Sequence, residues 1–108
     1  MANTYKNAGF DLTTTNKTDI YTCPANTTVI IKTVQTTNSS SGNVDVVGYV
    51  YDSSETTEYE LAHHTLSSKG SINFIDGTLV LEAGDVFRLD ASTANVISGV
   101  ISLLEIDF

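Results

Sequence analysis

The chain has no tryptophan, one methionine, one proline and one cysteine, and only five of its residues are Lys or Arg. Each scarcity excludes something. A lone thiol, Cys23, cannot close an intrachain disulfide, so the fold rests on burial and hydrogen bonding, as suits a reducing compartment. Against the five basic residues stand 13 acidic ones, giving a formal net charge of -8. Such a field repels polyanions, so neither nucleic acid nor an anionic membrane surface is an expected partner. No run approaches the roughly 20 apolar residues of a spanning helix, and the opening Met-Ala-Asn-Thr has neither the basic nor the apolar region of a secretory signal. These features predict a soluble chain made in the cytoplasm.

What is present is strand-forming material. Thr, Val and Ile supply 34 of the 108 residues, and β-branched side chains fit a pleated surface while losing rotamer freedom in helices. Hydrophobic residues at 41% are enough for one core, and the length limits the chain to a single domain, residues 1–108. Turn chemistry recurs at short intervals, among others at Pro24-Ala25-Asn26, Asn38 to Asn43, Asp76-Gly77 and Ala83-Gly84-Asp85. Between the turns lie Tyr5–Thr14, Thr18–Cys23, Thr28–Thr37, Val44–Tyr51, Glu58–Leu66, Ser71–Ile75 with Leu79–Leu81, Val86–Ser92 and Val96–Ile106. The expectation is an all-β antiparallel sandwich of about eight strands, with jelly-roll or immunoglobulin-like connectivity. Ser39-Ser40-Ser41-Gly42 reads as a flexible hairpin tip. Only residues 57–66 compete for helix, through a capping-box pattern at Thr57 and Glu60; a period of two, with Tyr59, Leu61, His63 and Thr65 on one face, favours strand.

Some strands are apolar on both faces. In the run from Val44, the residues Val44, Val46, Gly48 and Val50 oppose Val47, Tyr49 and Tyr51; in the last run, Ile97, Gly99, Ile101 and Leu103 oppose Val96, Val100, Leu104, Ile106 and Phe108. A two-layer domain has one interior, so a second apolar face points to a subunit or partner interface, or else to a thick core with loops folded over it. The interface candidates are Tyr5, Phe10, Tyr49, Tyr51, Val100, Leu104, Ile106 and Phe108, headed by the large rings that interface cores favour. The stretch Ala2 to Asp11 reads as a docking arm or as a plain edge strand.

Catalytic chemistry finds little support. Neighbouring His63 and His64 point to opposite faces of a strand and cannot converge on one ion from one chain. Cys23 lacks a basic neighbour that would activate it and reads as a small buried hydrophobe. Asp76, Glu82, Asp85 and Asp90 carry no calcium-loop spacing, and Asp76-Gly77 and Gly84-Asp85 fit hairpin turns. No metal, cofactor or catalytic residue is expected, and the chain is not read as an enzyme.

Read together, three stretches carry a family resemblance. Tyr21-Thr22-Cys23-Pro24-Ala25 joins two strands, Leu79-Val80-Leu81-Glu82-Ala83-Gly84-Asp85-Val86 forms a Gly-Asp turn, and Leu104-Glu105-Ile106 closes the chain. The sequence resembles small β-sandwich virion structural proteins of tailed bacteriophages, cyanophage-type proteins above all. Cys23 stands where a small or apolar residue is the family habit. The resemblance implies a capsid decoration or cement protein on the virion surface, usually a homotrimer, whose partners are its own copies and the major capsid protein or other virion proteins. A tail, neck or baseplate module is the alternative within that class. A carbohydrate-binding sandwich with Tyr49, Tyr51 or Tyr59 as stacking platform is the alternative outside it.

Overall fold

The computed structural model describes residues 2–107. Its regular elements are nine strands: β1 (Ala2–Leu12), β2 (Thr18–Thr22), β3 (Thr27–Asn38), β4 (Val44–Asp52), β5 (Thr57–Leu66), β6 (Ser71–Asn73), β7 (Leu79–Leu81), β8 (Val86–Ala91) and β9 (Ile97–Asp107). The segment with helical alternatives, residues 57–66, is strand. One sheet runs β1, β9, β3, with β6 and β7 sharing the far edge of β3; the other runs β2, β8, β4, β5. All pairs are antiparallel.

The topology has a simple origin. With β6 and β7 counted as one interrupted strand, each early strand pairs with its mirror position late in the chain: β1 with β9, β2 with β8, β3 with β6 and β7, β4 with β5. The chain is thus a long hairpin rolled up until β9 also meets β3 and β8 also meets β4. That is a jelly roll. In an immunoglobulin-like sandwich the first two strands share a sheet, whereas here β1 to β4 alternate between sheets.

Alternation along the strands builds the core. Val29, Ile31 and Val34 of β3 and Ile97, Ile101 and Leu103 of β9 face Val44 and Val46 of β4 and Phe87, Leu89 and Ala91 of β8, all buried. Each of the larger ones stabilises the fold by about 1.5–3 kcal/mol through removal from water. Phe74, in the gap between β6 and β7, plugs the sandwich beside Gly48, where an added Cβ would lie 3.1 Å from the ring Cζ.

Turns read from the sequence have the backbone they need: Gly77 and Gly84 take φ of 82° and 87°. Asp85 is occupied as a turn clamp, accepting from the backbone N–H of Ser53 and of Glu82, each at 3.0 Å. The residues 38–43 are less free than their composition suggests. Asn38 is fully buried; its Nδ2 shares two protons among the carbonyls of Gly42, Leu66 and Ser67, and its Oδ1 accepts from Ser40 N–H at 2.9 Å. One buried amide thereby ties the hairpin to the β5–β6 turn. In β5 the uniform alternation fails, because Gly48 pairs with Ala62 and Tyr49 with Glu60, leaving Leu61 as an unpaired bulge. Tyr59 therefore shares the inward side with Ala62 and His64, while His63 faces outward opposite Val47.

Candidate functional site

The first sheet leaves one face uncovered. β1 pairs with β9 over its whole length, and residues of equal facing line up across the strands. Val80 of β7 stands opposite Ile30 of β3, Ile30 opposite Leu104 of β9, and Leu104 opposite Tyr5 of β1. The result is an apolar row four strands wide on the outer surface. Tyr5 is 77% exposed and Val80 55%. Half-buried Ile106 extends the row toward one end, and Val100, 44% exposed, lies on the same surface between Gly9 and Gln35. A shallow hollow of about 280 Å³ beside the row is lined by Tyr5, Lys6, Asn7, Lys32, Ser102 and Leu103.

The expected interface residues thus divide. Tyr5, Val100, Leu104 and Ile106 come together on this face. Phe10 does not: it sits opposite Gly99, turns inward and packs against the core, because the facing of β1 places even-numbered residues on the inner side. Phe108 lies outside the described residues. Tyr49 and Tyr51 lie on the outer surface of the second sheet, across the sandwich. Ile30 and Val80 complete the row although neither was singled out; each is the middle of an apolar triplet, Val29-Ile30-Ile31 and Leu79-Val80-Leu81, whose flanks point inward. A triplet of that kind necessarily turns one apolar side chain outward.

The surface around Tyr49 and Tyr51 is of another kind. Lys17 Nζ sits 4.3 Å from the Tyr49 ring centre and 2.5 Å from Glu58, while Arg88 lies 5.3 Å from the Tyr51 ring centre and bonds Asp19 at 2.6 Å and Glu58 at 3.1 Å. Tyr49 Oη donates to Asp90 at 2.7 Å; burial and that carboxylate push the phenol up to about 12. Both rings already carry a cation over one face. Glu58, bonded by Lys17 and Arg88, is held below the usual carboxylate range.

On the inner side of the first sheet, Glu105 of β9 is 7% exposed. It accepts from Tyr21 Oη of β2 and pairs with Lys6 of β1 at 2.9 Å. These two partners lower its pKa, Lys6 more than Tyr21; burial, followed by the bond to Glu105, raises that of Tyr21. One carboxylate thus fastens both sheets and the edge strand. His64 has Nε2 3.1 Å from the Phe74 carbonyl oxygen and its ring 4.9 Å from that of Phe74, at the mouth of a cleft of about 270 Å³ between β5 and the β6–β7 loop. Among the described residues, no three His, Cys, Asp or Glu side chains converge as an ion site.

No protein-family model matches the chain, and no curated protein matches it. Among solved structures, the nucleoplasmin-like N-terminal domain of Drosophila FKBP39 is similar at a TM-score of 0.55 and 16% identity, over 96% of this chain and 93% of that one. A Bacillus endospore appendage pilus protein gives 0.47 at 14% identity, over 95% and 85%. A chain of the virus-like particle of giant freshwater prawn Macrobrachium rosenbergii extra small virus gives 0.39 at 13% identity, over 96% and 80%. At these identities the first likeness speaks to fold alone, and the chain is an all-β, two-sheet antiparallel sandwich.

Proposed function

We propose that the protein is a non-enzymatic structural protein of a tailed-phage particle, seated on the assembled head as a decoration protein through the outer face of its first sheet. The row of Val80, Ile30, Leu104 and Tyr5 carries this reading. A monomer gains nothing by exposing such a strip, while a partner that covers it removes apolar area from water. Jelly-roll topology is compatible with a coat component, though the fold alone hosts many functions. The sequence resemblance supplies the particle, and the major capsid protein is the partner it implies. A protein that binds only assembled shell stabilises that shell by mass action, and many copies act together.

Co-sedimentation with heads lacking this protein tests the reading. Wild-type protein is expected to pellet with heads and not with unassembled capsid protein, and Leu104→Asp to lose binding while keeping its folded spectrum. Equal pelleting of the variant, or none by the wild type, refutes the docking face. The carbohydrate alternative is weakened at Tyr49 and Tyr51, whose rings are occupied by Lys17 and Arg88.

A further inference from the structure

We propose that two copies join through their β1 edges about a two-fold axis at Asn7, making one continuous sheet whose two apolar faces lie side by side. This deepens the docking reading above and rests on it for the purpose of the doubled face. The argument starts from how the edges are guarded. Unpaired strand edges invite pairing, and native folds blunt them with bulges, brevity, proline or charge. β5 is interrupted by its bulge at Leu61, β2 has five residues and a bulge at Ile20, and β6 and β7 have three residues each. β1 is different: eleven residues, no register shift and no proline, with Ala2 to Gly9 exposed on both faces. Its one lysine is turned to Glu105.

The sequence of β1 also fits itself. A two-fold axis normal to the sheet keeps each residue on its own face, so only pairings that join residues of equal parity are allowed. Centred on Asn7, the pairing uses the whole strand: Ala2 meets Leu12, Asn3 meets Asp11, Lys6 meets Ala8 and Tyr5 meets Gly9. No like charges stand opposite each other. At Gly9 an added Cβ would find only the Gly99 carbonyl oxygen, at 3.8 Å, so the surface there is open. The Tyr5 ring of the second copy covers that opening and reaches Val100, which is opposite Gly9 on the neighbouring strand. Two separate exposed features, Tyr5 and Val100, then merge into one row: Val80, Ile30, Leu104 and Tyr5 of one copy, then Gly9 and Val100 of the other. The two-fold applies the same join a second time.

An edge about 37 Å long and about 10 Å thick covers on the order of 400 Å² per copy, half of what stable complexes bury on each side. The pair is therefore weak in dilute solution and is reinforced when its doubled face docks as a bivalent unit. A two-fold contact gives a dimer rather than the homotrimer that the resemblance implies.

Site-directed crosslinking of the full chain tests this. On the axis, the two Asn7 Cα atoms lie about 4.5–5.5 Å apart, within disulfide reach, whereas the two Asn3 Cα atoms lie about 27 Å apart. Asn7→Cys is expected to form covalent dimers on mild oxidation, Asn3→Cys to remain monomeric alone, and Asn3→Cys mixed with Asp11→Cys to link. Tyr5→Ser in the Asn7→Cys background is expected to lower dimer yield about tenfold, since the ring is exposed in the monomer and contributes chiefly to the pair. Self-linking of Asn3→Cys as efficient as that of Asn7→Cys, or no linking of Asn7→Cys, overturns the proposal. Heads that bind protein whose Asn7→Cys variant never links refute the dimer alone; linked dimers that ignore heads refute the docking face alone.

Discussion

Replacing Glu105 by Gln probes the fastening of the two sheets and the edge strand. The carboxylate accepts from Tyr21 Oη and pairs with Lys6 at 2.9 Å. The amide keeps a neutral bond to the phenol but loses the charge, a difference of about 1–1.5 kcal/mol between charge-assisted and neutral hydrogen bonds. Lys6 is half exposed, with 51% of its side-chain area accessible, so its pairing contributes about 0.5 kcal/mol once solvent screening is counted. Together the loss is about 2 kcal/mol at pH 7, or about 10 °C in Tm for a domain of this length. The pH dependence has a definite sign. Because the folded carboxyl titrates below its unfolded value, its stabilisation is present above the usual glutamate range and is lost as pH falls through the lowered folded pKa. The gap in Tm between wild type and Glu105→Gln is therefore expected to be widest near neutrality and to close in acid. Thermal unfolding followed by circular dichroism from pH 7 to pH 3 reads this directly. A double-mutant cycle with Tyr21→Phe isolates the pair, with an expected coupling of about 1–2 kcal/mol. A coupling near zero, or a gap that does not change with pH, refutes the assignment.

Two further outcomes follow from the core. Gly99→Ala is expected to destabilise by about 2–4 kcal/mol in denaturant titration, because the new methyl overlaps the Gln35 carbonyl oxygen and comes within 2.7 Å of Phe10 Cζ; an unchanged midpoint contradicts the close packing of β3 on β9. Cys23 is buried and its thiol is pushed up, first by burial and then by Asp85 and Glu105, so labelling by a thiol reagent at pH 8 is expected to proceed only as fast as the protein opens; immediate native-state labelling contradicts that burial.

Much of the architecture is legible in the amino-acid order because the physics there is local. Phe87, Leu89 and Ala91 alternate with Arg88 and Asp90 in the sequence and are buried in the fold, and Gly77 and Gly84 occupy turns whose positive φ only glycine takes cheaply. Connectivity is not local. The mirror pairing of β1 with β9 depends on which edges meet after collapse, so strand count left jelly roll and immunoglobulin-like alternatives equal. The bulge at Leu61 escaped for a related reason: a skipped residue is set by the partner strand, whose Gly48 admits Phe74. Asn38 misled by composition, since a Ser-rich neighbourhood suggests mobility while its amide is consumed by three carbonyls. Of the outward row, Leu104 could be named from the doubled apolar face of its strand and Tyr5 as a large ring, but their alignment with Ile30 and Val80 needed the register.

The pairing of Ala2 with Asp107 also shapes how the chain is born. Strand β1 is synthesised well before β9, the strand it pairs with among the described residues. Until β9 has emerged both edges of β1 are open, and the first sheet cannot zip. Such distant pairing is entropically slow to close, placing folding in the millisecond-to-second range typical of all-β topologies. Polysomes that crowd many such nascent segments together are where mispairing between neighbours would begin.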